Sequence, residues 1–514
     1  MESPVCNTEG EPKMEVKNMV RLKIGYVSTS QLSFPGDKQS AVHASVEGLK
    51  KLAQQWDFDL YVYEKTVITE QDALNAREVL QAEHVDLIML QCTSFAAGLV
   101  VSTLARTKDA RLGLWAIPEM RSSGVVSYNS LCGINMYSAI VSHYLKEYDI
   151  PTKWFYGSVD DAQFLRRFRI TVTALRAIKK MQHANIALIG GIAPGFNDLY
   201  DDERRLLKLF DGMRINRLHE YGELKDLAMR LPQDEVDAKI AQLNAEACAK
   251  NEAIDHQIHT RGCADAEGKM SLMEVNARFA LAYERFTEKY GYDALAISCW
   301  PKFQDDYLFS VCAVVGELND KGVVAGCEGD LTSTVSMLLL SYLADDITML
   351  MDMSAIDTND NSVQMWHCGP ASKRFCQKNG YQYSLNYSGK DHKGADLDHA
   401  LGTGIVRDMV FDAGKATTAR LTGEMDTMFV ATGRFLDSGK DTYCGSRGWL
   451  GELELNREPI SALDFFNTVM VRGFQHHFPI VMGDYSEELM EVMSWLKLRP
   501  VRKVKYENYL QREF

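Results

Sequence analysis

The sequence predicts an α/β protein made of two doubly wound units followed by a β-rich C-terminal domain. Three observations predict it. Strand-like and helix-like runs alternate over 20–165, the alternation resumes over 166–345, and short turn-separated β-like runs replace it over 346–514. A chain of 514 residues is in any case too long for one core.

The first unit reads as the strand LKIGYVS (22–28), the helix AVHASVEGLKKLAQQW (41–56), the strand DLYVYEK (59–65), the helix EQDALNAREVLQAE (70–83) and the strands VDLIMLQC (85–92) and RLGLWAIP (111–118). Strands separated by helices of this length imply a parallel sheet covered on both faces. Ligands of such sheets bind beyond the strands' carboxyl ends, which directs attention to Gln91, Pro118 and Glu119. In the second unit a long helix (164–181) leads into strands at 185–191, 214–222, 293–300 and 322–330, with a mostly helical excursion over 223–290. The third part carries KNGYQYSLNYSG, KATTARLTGEMDTMFVATGRF and GWLGELELN, and one last helix at 486–498.

Residues 1–19 are polar, lack the apolar segment of a secretory signal, and read as a loose tail, so a cytoplasmic location is expected. The eleven cysteines are odd in number, scattered and without a CxxC pair, which points to neither a disulfide framework nor a thiolate zinc site. A net charge of −14 argues against broad contact with nucleic acid or an anionic membrane. It leaves a small sugar open as substrate.

Four segments carry candidate chemistry. In AGCEGDLTSTVSMLLL (325–340) a strand runs into a helix and presents Glu328 and Asp330 at the corner. Read alone, the segment also fits a plainer role, with Asp330 or Thr332 capping the helix and Glu328 solvated. Asp352 falls inside the apolar run MLMDM, where a carboxylate is costly unless it has a proton, a cation or hydrogen-bond donors. His367 follows an apolar run and precedes a Gly-Pro turn, a setting in which a histidine is ordinarily structural. His476 and His477 open a strand-like run ending at Gly483, and alternation would turn only one of them toward a shared site. Together these are oxygen and nitrogen donors suited to Mn, Mg or Co, with no thiolate needed.

With SYNSLCGIN (127–135), KWFYGSVDDAQF (153–164), IGGIAPGF (189–196), SCWPKFQ (298–304), GCEGD, LMDM, MWHCGP and QHHFPIVMGD, the chain resembles the L-fucose isomerase and L-arabinose isomerase superfamily over nearly its whole length. The resemblance implies two Rossmann-like domains and a barrel-like C-terminal domain. It implies that Glu328 and Asp352 are the metal-binding and proton-transferring carboxylates, working through a cis-enediol on a free aldose. It makes His477, six residues before Gly483, the late histidine ligand, with His476 its rival, and His367 the further histidine of arabinose isomerases. The cofactor implied is Mn²⁺ or another divalent ion such as Co²⁺ or Mg²⁺. A homo-oligomer, trimer or hexamer, follows because that family builds its sites where subunits meet.

Two departures bear on the substrate. Arg121 stands beside Glu119 near the first sheet's strand ends, and Lys302 follows Trp300 where an acidic or neutral residue would be expected. Either could be a solvated side chain. Together, with Lys153 or Arg166, they could hold an anionic group. Sulfoquinovose isomerases resemble the same superfamily and act on such a sugar, so sulfoquinovose stands beside L-fucose and L-arabinose. Two competing readings remain. A nucleotide-dependent oxidoreductase is disfavoured because IGGIAPGF reads G-G-x-x-x-G without a following acidic ribose partner. The other is a non-enzymatic sugar-binding or regulatory protein with two Rossmann-like lobes.

Overall fold

A computed structural model describes residues 20–219, 221–250, 257–258, 270–300, 309–386 and 404–507. Contacts gather these into two compact units. One is Val20–Lys180 with Glu487–Leu496; the other runs over Met181–Ser486 and from Lys497 onward.

Continuous aliphatic runs such as Leu87–Cys92, in which every residue is buried, form strands covered on both faces, as parallel sheets require. In the first unit five parallel strands lie in the order Phe58–Val62, Leu22–Thr29, Leu87–Cys92, Arg111–Ala116, Thr152–Tyr156. The last of these has no counterpart in the sequence reading. It is an edge strand, TKWFY, in which only Phe155 is buried, and its aromatic triplet was not read as a strand. Helix Ser486–Leu496 contributes Glu487–Leu496 to this unit. There Glu491 pairs with Lys153 at 2.7 Å and Glu487 with Arg166.

The second unit begins with a four-stranded parallel sheet in the order Val324–Gly326, Ala294–Ile297, Asn185–Ile189, Arg214–His219. The helical excursion contains Tyr221–Met229, Gln233–Glu246 and Leu272–Tyr290. Helix Leu331–Ala344 leaves the sheet's edge strand and packs on the β-rich part. Eleven of its fourteen residues are buried, which explains why LTSTVSMLLLSYLA shows no charged face.

The β-rich part is a closed barrel. Strands Thr427–Phe435, Gly414–Leu421, His477–Met482, Thr348–Asp357, Ser362–His367 and Ser446–Leu455 pair in that order, and the last pairs back to the first. Closure leaves these six strands no free edge within the ring. The chain is thus mixed α/β with parallel sheets and a C-terminal barrel. Among the described residues no helix is long and apolar enough to cross a membrane.

Candidate active site

The site forms where the parallel sheet's edge strand meets the barrel. After Gly326 the chain turns sharply, and Glu328 takes a left-handed conformation with φ of 62°. A non-glycine residue pays for such a backbone, and residues held this way concentrate at functional sites. The following Gly329 is required on two counts. Its φ is 69°, and a side chain there would collide with the Gly191 carbonyl. Within IGGIAPGF it is thus the Gly191 backbone that packs closely against the Glu328 turn.

The barrel supplies the other groups. His477 and Asp352 sit opposite each other on neighbouring antiparallel strands, so their side chains share one face. His477 Nε2 lies 3.3 Å from a Glu328 oxygen and 3.9 Å from Asp352 Oδ1. The His367 ring stacks on that of His477 with centroids 5.7 Å apart. His476 also reaches Glu328, with Nε2 at 3.3 Å, and its Nδ1 bonds Asp198 at 2.7 Å. Both adjacent histidines therefore meet the site, contrary to the alternation expected of an extended segment. His477 is the first residue of its strand and His476 lies in the bend before it, so the two-residue period does not apply.

Hydrogen bonding fixes the two buried histidines in opposite senses. Asp330 can only accept, so His477 Nδ1 donates to it at 2.9 Å and Nε2 is the nitrogen turned toward Glu328 and Asp352, a lone pair there when the ring is neutral. At His367 the backbone N–H of Cys368 donates to Nδ1 at 2.9 Å, so in the neutral ring Nε2 carries the proton. Burial pushes the His367 ring below its ordinary value, and the charge of Asp352 opposes this only in part. Burial would also lower His477, but Asp330 and Glu328 outweigh it and raise the ring to about 10. Burial alone would raise the Glu328 carboxyl, yet His476 and His477 hold it well below the usual carboxylate range.

These donors suit a hard divalent cation. His477 Nε2 and Asp352 Oδ1 are buried without a hydrogen-bond partner, and so is His367 Nε2, whose N–H can serve a ligand oxygen rather than the ion. Two overlapping sets, Glu328 with His367 and His477 and Asp352 with His476 and His477, bring one donor atom from each residue within 4.8 Å of the others. Carboxylate oxygens and imidazole nitrogen, without thiolate, fit Mn, Mg or Co. Anionic surroundings that hold a proton on His477 would equally hold a cation in its place.

Behind His477 lies a layer that sequence reasoning missed. Asp330 caps helix Leu331–Ala344 through the Ser333 amide at 2.8 Å, as the plainer reading of that segment expects. The same carboxylate also holds His477 and accepts from Arg420 at 2.9 Å. Arg420, fully buried, further bonds Ser333, the Gln475 side chain and the His477 carbonyl. The available signal was an arginine amid the alanines and threonines of the strand-like run KATTARL. If the site holds Mn²⁺, replacing Asp330 with Asn would weaken that binding by about 10- to 100-fold, the usual cost of losing a carboxylate that orients a ligand. Isothermal titration calorimetry checks this, and unchanged affinity would reduce Asp330 to its capping role.

The remaining residues singled out by sequence are placed as follows. Trp300 is 38% exposed and stacks on Phe196 at 5.4 Å; Phe196 in turn meets the His476 ring edge-on at 5.6 Å. In the first unit the Glu119 carboxylate accepts the backbone amides of Ser127, Tyr128 and Asn129 at 2.8, 2.9 and 2.6 Å, which pins the loop carrying Arg121. Arg121 is exposed, whereas Gln91 is buried and accepts from the Tyr26 hydroxyl. Lys302 lies outside the described residues.

No protein-family model matches the chain. Similarity to isomerases over most of its length makes it an enzyme of that class. The relatives are sulfoquinovose isomerases. That of Priestia megaterium is 24% identical over 444 residues, 84% of this chain and 90% of the relative. Those of Alkalicoccus urumqiensis and a Clostridium species are each 24% identical, over 79% and 80% of this chain and 84% and 85% of their own lengths. A periplasmic solute binding protein of Actinobacillus succinogenes with bound D-allose aligns over 63% of the chain and 93% of its own at 12% identity. Its TM-score of 0.16 is too low to support the non-enzymatic reading.

Proposed function

We propose that the chain is a divalent-metal-dependent aldose–ketose isomerase whose substrate is sulfoquinovose. The observation that carries this reading is the meeting of Glu328, Asp352 and the Nε2 of His477, turned to them by Asp330. The sulfoquinovose isomerases similar to it support the choice of sugar over L-fucose or L-arabinose.

Glu328, Asp352 and His477 would hold the ion, Mn²⁺ being the proposed choice over Co²⁺ or Mg²⁺. When bound, such an ion polarises a carbonyl and acidifies the carbon beside it. One of the two carboxylates, kept ionised by its surroundings, takes the proton from C2 of the open-chain aldose. The carboxyl so formed exchanges its proton with solvent and returns one to C1 of the cis-enediol, and the O2 proton passes to O1, leaving the ketose. His367 presents its Nε2–H as a hydrogen-bond donor to a sugar oxygen. Trp300 offers an exposed ring to the apolar face of the sugar, and His476, oriented by Asp198, borders the substrate beside it. Arg121 and Lys302 are proposed to bind the sulfonate, with Glu119 acting by holding the Arg121 loop.

A homo-oligomer, trimer or hexamer, is proposed as well. The first unit exposes Leu32, Leu99, Met120, Val125, Val126 and Leu131, each at least half accessible, on segments that follow its strands. A monomer by sedimentation would count against it. A cytoplasmic location agrees with the nine described cysteines all being free.

The test is isomerisation with added Mn²⁺ in deuterium oxide, read by NMR, across sulfoquinovose, L-fucose, L-arabinose, D-arabinose and glucose 6-phosphate. Sulfoquinovose should yield a ketose carrying solvent deuterium, and chelation should stop it. Turnover of uncharged sugars alone would remove the sulfonate reading; turnover that survives chelation would remove the metal.

A further inference from the structure

Beside the proposed active site the chain gathers thiols that the chemistry above does not use. Cys299 precedes Trp300, Cys327 precedes Glu328, and Cys368 follows His367. Cys312, the first residue of helix Cys312–Asp320, completes the group. The sulfurs of Cys312 and Cys368 lie 3.2 Å apart. Such an approach is closer than packing of small apolar side chains demands and within about 1.2 Å of a disulfide bond length. Cys312 is buried, with its sulfur also 2.9 Å from the Ser310 hydroxyl, whereas Cys368 is partly exposed. Cys368 is thus the half-buried residue of the pair, and the sulfur of buried Cys312 stands in direct contact with its own.

We propose that Cys312 and Cys368 are a peroxide-reactive thiol pair that closes to a disulfide and thereby disables His367. The sulfur of Cys368 attacks one peroxide oxygen, the O–O bond breaks, and water leaves with formation of a sulfenic acid. The sulfur of Cys312 then attacks that of Cys368; the S–O bond breaks, the S–S bond forms and a second water leaves with the Cys312 proton. Two thiols are oxidised by two electrons and one hydrogen peroxide is reduced to two waters. Closure draws Cys368 toward Cys312. Because the Cys368 N–H fixes the His367 ring at 2.9 Å and its sulfur lies 3.2 Å from the same nitrogen, that shift turns His367 away from its place on His477. The effect on turnover rests on the isomerase reading above, whereas formation of the disulfide does not.

The experiment treats the full-length protein with hydrogen peroxide, blocks remaining thiols with N-ethylmaleimide, and maps linked peptides by mass spectrometry with and without dithiothreitol. A Cys312–Cys368 link that dithiothreitol removes is the expected result. Modification of the exposed Cys132 and Cys444 without that link, or a Cys299–Cys327 link in its place, would overturn the proposal. Turnover of sulfoquinovose should fall in proportion to the linked fraction and return on reduction, and Cys312→Ser should make it peroxide-resistant. A linked protein with undiminished turnover would overturn the switch while leaving the thiol pair. A protein that links yet never isomerises any sugar would count against the isomerase reading instead.

Discussion

Glu328→Gln lowers isomerase turnover by at least about 10⁴-fold, the upper end of what a positioned acid–base group supplies, because the side chain is proposed for two duties. It would offer an anionic oxygen to the ion, and it is one of the two carboxylates able to carry the proton. Gln keeps the length and shape of Glu, so the left-handed turn at 328, held by Gly329 and its contact with Gly191, is preserved. The loss should therefore appear in kcat with little change in melting temperature. A solvated loop glutamate would behave otherwise, and normal turnover by this variant would sink the site assignment.

The second large effect separates the two buried histidines. His477→Gln should weaken Mn²⁺ binding by more than the roughly 10- to 100-fold that follows from changing a residue behind a ligand, since Nε2 of His477 is the nitrogen facing both carboxylates. His367→Gln should leave Mn²⁺ affinity unchanged and reduce turnover by about 10²- to 10³-fold, the cost of removing one preorganised donor. The contrast follows from the partners of the two Nδ1 atoms, an Asp330 carboxylate in one ring and a backbone N–H in the other. Electron paramagnetic resonance of free Mn²⁺ reads the affinities directly. Equal loss of Mn²⁺ in both variants would show that His367 is a ligand and that its tautomer has been misassigned.

The parts of this architecture that were legible in sequence are those with local causes. Aliphatic runs of strand length announced the parallel sheets, and a carboxylate stranded in MLMDM announced Asp352, because its cost is visible from its neighbours alone. Glu328 was legible as a strand-to-helix corner. What stayed hidden depends on distant partners. Asp330 looked like a helix cap and is one, but its bonds to Arg420 and His477 span 90 and 147 positions of sequence. Likewise Asp198 reaches His476 across 278 positions. The joint presence of His476 and His477 was obscured by treating both as extended, when the strand starts only at His477. Strand Thr152–Tyr156 did carry a local signal, the aromatic triplet of TKWFY, which the reading passed over.

The central claim is that Glu328, Asp352 and His477 hold one divalent ion against the sugar. Anomalous diffraction at the manganese edge, from crystals soaked with Mn²⁺ and sulfoquinovose, tests it most directly. One manganese peak bounded by these three side chains, with sugar oxygens on its open side and His367 Nε2 hydrogen-bonded to the sugar, is the predicted result. Manganese bound elsewhere, or sugar bound with no metal beside it, would contradict it.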